Sequence, residues 1–138
     1  GEGFLNTISI GRVDLSASMD LDRSFINQDQ IAEATVDFAE RAKKKGIVVG
    51  FGGGISFDAI PFIRNMKGLA DKFETRKVVF RIDDNEERLR AGILKAMEFE
   101  VFYLQNKCDF YDRMANEDRQ RMVMLSERLE VARNELGC

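Results

Sequence analysis

Histidine and tryptophan are absent from the chain, proline occurs once and cysteine twice. Without histidine, no imidazole can serve as general base, as partner of a nucleophile or as metal ligand. Any metal site must then be built from oxygen ligands, which suits Mg²⁺, Mn²⁺ or Ca²⁺ better than zinc. Cys108 and Cys138 stand far apart, the second at the last position, so no disulfide framework is indicated. No apolar run approaches the roughly 20 residues that cross a bilayer, and the first residues lack the basic, apolar and small-residue order of a secretory signal. A soluble, cytoplasmic protein with no membrane partner is expected. An excess of one charge is missing as well. Charged residues make up 33% of the 138, yet the net charge is −3 and the two signs are interspersed. No sustained field draws a phosphate backbone, so nucleic acid is not an expected partner.

What is present is apolar material enough for one domain, 44% of the residues. Thr7 to Leu15 is rich in β-formers and runs into Ser16-Ala17-Ser18, which reads as a strand meeting a loop. Asn27 followed by Gln30 has the form of a capping box, and Ile31, Ala34, Thr35, Phe38 and Ala42 then recur at helical spacing up to Gly46. Lys43, Lys44 and Lys45 in the last turn complement the carbonyl end of the helix dipole. Ile47 to Phe51 is a short apolar strand that enters Gly52-Gly53-Gly54, and Ser56 can cap a short helix with Pro61 near its start. A third strand is predicted from Lys72 to Phe80. The order of strand, helix, strand, helix, strand predicts an α/β fold with parallel crossovers. Two long helices follow, from about Asn85 to Lys107 and from about Asn116 to Leu136. Phe99, Phe102, Tyr103, Phe110 and Tyr111 gather near the junction, more aromatics than one helix face buries locally. They suit a packing surface for another chain or domain, with internal packing of the two helices as the alternative.

Ile10-Gly11-x-x-Asp14-Leu15-Ser16, the strand leading to Gly50-Phe51-Gly52-Gly53-Gly54, and a last strand before a long helix resemble the aldolase and citrate lyase family, whose members split or join 2-keto acids. The resemblance spans Phe4 to Leu104 and is strongest in the first strand. It implies a (β/α)8 TIM barrel, which needs about 250 residues, so this chain is expected to be a partial barrel. The last three βα units would lie in residues 1–107, with a C-terminal helical extension over 108–138. The remaining strands would come from a longer polypeptide or from a second chain. The implied partners are a small-molecule keto acid and either a homo-oligomer or the missing barrel half.

The resemblance makes Asp14 a ligand of Mg²⁺ (or Mn²⁺), in a site whose glutamate partner comes from a strand this chain lacks; turn capping is the plainer role. It implies a metal-dependent carbon–carbon lyase or aldolase acting on a pyruvate- or oxaloacetate-type acid, with an incomplete active site and no activity from this chain by itself. Arg12 stands where a proline is common in the family, and is either a contact to the substrate carboxylate or a surface residue. Ser16 and Ser18 follow the aspartate, where a hydroxyl could bind a substrate oxygen or merely form a loop. Gly52, Gly53 and Gly54 before a helix could present amides to a phosphate-bearing sugar, or allow tight packing. Glu74 and Arg76, two residues apart in a strand, form either a paired catalytic site or a structural ion pair. The alternatives to a lyase are a phosphate-sugar-binding barrel enzyme and a non-catalytic oligomerisation module.

Overall fold

The computed structural model describes residues 5–137. Strands β1 (Thr7–Gly11), β2 (Val48–Gly52) and β3 (Lys72–Glu74) lie side by side in parallel, and β4 (Val79–Arg81) joins β3 in the antiparallel sense. The sheet therefore runs in chain order, with β1 and β4 as its edges. Helix α1 (Arg12–Ser18) leaves β1 directly, α2 (Asp29–Lys43) leads back to β2, α3 (Ile60–Asn65) precedes β3, and α4 (Glu86–Leu136) follows β4.

Alternation along the strands decides which face is covered. Ile8 pairs with Val49, and one continuous row crosses the sheet from Ile10 through Phe51 and Phe73 to Phe80. Phe73 stacks on Phe80 at 4.9 Å between ring centroids, and Phe62 of α3 meets Phe51 edge-on at 5.0 Å. Ala39 and Ala42 of α2, Ile60 and Ile63 of α3, and Leu89 and Ile93 of α4 complete this core. In α2 the buried residues are Ile31, Thr35, Ala39 and Ala42, one stripe along the helix. Full burial of an aromatic or branched side chain stabilises by about 1.5–3 kcal/mol, so this row outweighs any single polar contact in the sheet.

The opposite face is polar. Thr7, Ser9, Gly50, Gly52, Lys72 and Glu74 share it by register. The Lys72 side chain passes over Gly50 and that of Glu74 over Gly52, in space a Cβ would occupy. Ser9 Oγ donates to Glu74 Oε1 at 2.8 Å.

The chain divides into two units, Gly1–Glu100, which holds the sheet, and Val101–Cys138, which is helical. In the second unit every described side chain is exposed except Ala115, which is partly covered. No helix among the described residues is long and apolar enough to cross a membrane.

Several expectations are corrected. The partial TIM barrel is not what forms: the described residues make an open four-stranded mixed sheet. The reason lies in the segment taken as one strand from Lys72 to Phe80. Thr75 N–H donates to the Val78 carbonyl at 2.9 Å and Thr75 Oγ1 accepts from Val78 N–H at 3.1 Å, so the chain reverses there. The result is a hairpin with an antiparallel edge strand, where a barrel unit would continue into a helix and a further parallel strand. The first strand also ends earlier than expected, at Gly11, and Ser16-Ala17-Ser18 is the last turn of α1. The capping box does not form, because Gln28 precedes α2 without a side-chain cap and Asn27 is bonded to Arg12. Phe38 lies outside the buried stripe of α2. The two long helices are one, since no glycine or proline interrupts the chain between Ile93 and Leu136.

Candidate functional site

The site is organised from beneath by Arg12. It is the first residue of α1 and is fully buried. No carboxylate is bonded to it among the described residues. Instead its Nη2 donates to the carbonyls of Gly53 at 2.6 Å and Gly54 at 3.3 Å, and Nε to that of Gly52 at 3.4 Å. Nη1 donates to Asn27 Oδ1 at 2.8 Å and to the Ile26 carbonyl at 3.3 Å. The guanidinium carbon stands 4.7 Å from the Phe62 ring centroid, a cation–π arrangement. Desolvation by burial lowers the Arg12 pKa to about 10, which leaves it charged at neutral pH. A rigid fork of five donors is the one side chain that can collect this many carbonyls at once.

The consequence appears in the glycine loop after β2. A trans peptide points its N–H away from its C=O. With the carbonyls of Gly52, Gly53 and Gly54 turned toward the guanidinium, the N–H groups of Gly53, Gly54 and Ile55 point away from it. Gly53 and Gly54 take φ values of +90° and +61°, which L side chains rarely adopt. A Cβ on Gly53 would lie 3.0 Å from the Val13 backbone nitrogen, and one on Gly54 would run into Ile26 Cδ1. Those three N–H groups are therefore not engaged by Arg12, and the loop that carries them floors the space above.

Above the loop opens a crevice of about 560 Å³ at the C-terminal ends of β1, β2 and β3, the end at which open parallel sheets bind ligands. Gly11, Val13 and Asp14 line one side, Gly52 to Ile55 the floor, and Glu74, Thr75 and Arg76 the other side, with Arg23 and Glu100 at the margins. Asp14 sits in the first turn of α1, close enough to Gly11 that a Cβ there would meet Asp14 Oδ2 at 2.7 Å. Arg76 Nε lies 4.0 Å from Glu100 Oε1. Three lining carboxylates, Asp14, Glu74 and Glu100, face two lining guanidiniums, Arg23 and Arg76, and Arg12 beneath balances the count.

Of the residues singled out in the sequence, Asp14, Gly52, Gly53, Gly54, Glu74 and Arg76 come together on this lining. Arg12 lies behind the loop, and Ser16 is buried with its hydroxyl donating to the Val13 carbonyl at 2.8 Å. Neither is on the crevice wall. Ser18 donates to the Leu15 carbonyl and is likewise absent from the wall. Sequence reasoning missed Arg23, Ile55, Thr75 and Glu100 on the lining and Asn27 as a partner of Arg12. Only Thr75 carried a signal, as a turn-forming hydroxyl inside an apparent strand. Among the described residues no three His, Cys, Asp or Glu side chains are placed to hold a metal ion.

Compared with family models, with curated proteins and with solved structures, the chain matches none.

Proposed function

We propose that the crevice binds a small 2-keto acid and contributes to metal-assisted carbon–carbon lyase or aldolase chemistry. The observation that carries this reading is the polar crevice at the C-terminal ends of the parallel strands, floored by the loop that Arg12 locks and lined by carboxylates and guanidiniums. In it the substrate carboxylate lies on the Gly53, Gly54 and Ile55 amides, where each charge-assisted hydrogen bond contributes about 1.5–3 kcal/mol. Arg23 and Arg76 attract the anion to the mouth and Arg76 is held near Glu100. Ser9 orients Glu74. A divalent ion, when bound, would supply a Lewis acid for the enolate oxygen that cleavage beside a carbonyl exposes. Asp14 and Glu74 are the hard oxygen donors suited to Mg²⁺ or Mn²⁺. Their chemistry fits, their number does not, and the remaining ligands would have to lie outside the described residues.

Calorimetric titration tests the reading. Pyruvate should bind in the presence of Mg²⁺, about tenfold more weakly in Gly53→Ala, and Asp14→Asn should remove the dependence on the ion while leaving the fold intact. Absence of pyruvate binding to the unaltered chain would reject the keto acid. Inorganic phosphate binding in its place, lost in Gly53→Ala, favours the phosphate-sugar alternative, which would use the same glycine loop.

A further inference from the structure

The second unit carries a pattern that the crevice does not use. From Val101 the helix holds Val101, Cys108, Ala115, Met122 and Leu129 at intervals of seven, and Leu104, Tyr111, Asp118, Leu125 and Ala132 three residues after each. These are the a and d positions of a heptad repeat, with Asp118 as the one charged member. The apolar members are open to solvent: Val101 is 60% exposed, Met122 62% and Leu129 52%. A straight helix drifts by about 20° per heptad against a strict seven-residue repeat. A stripe that keeps to seven over this length therefore winds around the helix, and only a partner that supercoils with it can follow.

We propose that residues 101–132 form an antiparallel coiled coil with the same segment of a second copy of this chain. One seam charge selects the direction. In a parallel pair Asp118 would face its own copy in the seam, while on the rim two Lys107–Asp112 contacts attract and two Arg128–Arg133 contacts repel. With the copies antiparallel and Ala115 opposite Asp118, the e positions bring Asp112 of each copy beside Arg119 of the other. Those two contacts are attractive and related by the two-fold axis. Two Lys107–Arg128 contacts on the g edge repel, so the rim balances in either direction and the seam, relieved of the Asp118 pair, decides. The uncharged seam positions, at about 50 Å² of apolar surface each, remove roughly 900 Å² from water in the pair, and with the flanking e and g side chains the contact reaches the roughly 1,000 Å² at which a specific interface begins. Phe102 and Phe110 fall at outer positions and are not used. The proposal is independent of what the crevice binds.

The test uses the whole chain with Cys138→Ser, so that Cys108 is the one thiol. Light scattering after size exclusion should give twice the chain's 15.7 kDa, returning to the monomer value in Leu125→Asp/Leu129→Asp with helical circular dichroism kept. Antiparallel packing sets Cys108 opposite Leu125 of the other copy. Mild oxidation should therefore leave the single-thiol protein unlinked and convert the Leu125→Cys variant into a covalent dimer. A monomer, a dimer that survives the double substitution, or ready Cys108 to Cys108 linkage would each overturn the proposal, the last by showing parallel packing.

Discussion

Replacing Arg12 by methionine isolates the question of whether its charge or its fork of donors holds the site. The charge-assisted bonds at 2.6 and 2.8 Å contribute about 1.5–3 kcal/mol each and the three longer ones less, together roughly 6 kcal/mol. Against this, burying the guanidinium costs about 3 kcal/mol, the equivalent of a pKa lowered from 12.5 to about 10. Arg12→Met removes both, for a net loss of about 3 kcal/mol. In a unit of this size that is a fall in Tm of roughly 15 °C. Arg12→Lys keeps a buried charge but reaches at most two of the five acceptors, so it should rescue little or none of the loss. Scanning calorimetry gives the stability, and amide hydrogen exchange at Gly53 to Ile55 reports the loop, which should exchange faster in both variants. A loss below about 1 kcal/mol in Arg12→Met, or full rescue by lysine, would refute the reasoning, the first by showing that water replaces the guanidinium freely and the second by showing that charge alone suffices. The pH dependence has a definite sign. Because folding lowers this pKa, the unfolded chain holds more protons above pH 10, and this group's contribution to stability rises with pH there.

Gly54→Ala should cost about 2 kcal/mol or more by thermal melting, since the new methyl meets both Ile26 and a positive φ. At the acidic end, Asp71 has its pKa lowered chiefly by the hydrogen bond from Lys43, then by that from Val49 N–H; Asp22 and Asp83 are lowered chiefly by local hydrogen bonds, from Ser24 and Asn85, and Asp84 chiefly by that from Lys67. Stability from these groups is complete above the ordinary carboxylate range and falls as pH drops through the depressed values; melts recorded from pH 7 downward should show Tm level to about pH 5 and falling below it. Ile93→Ala, at a fully buried position against the core, should cost about 2–5 kcal/mol in urea denaturation; a cost under 1 kcal/mol would mean that the early part of α4 is not part of the core.

The order β1, α2, β2, α3 was legible because it rests on local patterns: apolar runs ended by glycines, and a helical stripe between Ile31 and Ala42; α1, Arg12–Ser18, was instead taken as the end of a strand and a loop. Legibility failed where two patterns compete. Residues Lys72 to Phe80 satisfy a strand pattern throughout, and only the Thr75 hydroxyl, bonding its own backbone three residues on, turns one strand into a hairpin. The two supposed helices were separated between Lys107 and Asn116, where no glycine or proline stands to break a helix and α4 runs on. In the site, the glycine loop and Asp14 could be picked out by type and spacing. The role of Arg12 could not, since a cation after a strand gives no sign that it will be buried, and four of its five acceptors are backbone carbonyls, three of them about 40 residues away, which have no residue type to read.

The sheet's strand order has a consequence for how the molecule assembles. Because each strand pairs with its neighbour in sequence, the loops to be closed lengthen steadily from β4 back to β1: about 4 residues for the hairpin, about 20 for β2 on β3 and about 40 for β1 on β2. Closing the longest costs about 2 kcal/mol more than closing the shortest, so the sheet is expected to grow from its C-terminal edge and to fray first from the other. β1 is the strand that delivers Arg12 and Asp14. Its docking is the step that tucks the guanidinium under the glycine loop, so the crevice comes into being last, and a brief parting of that one edge is enough to erase it while the aromatic row beneath stays packed.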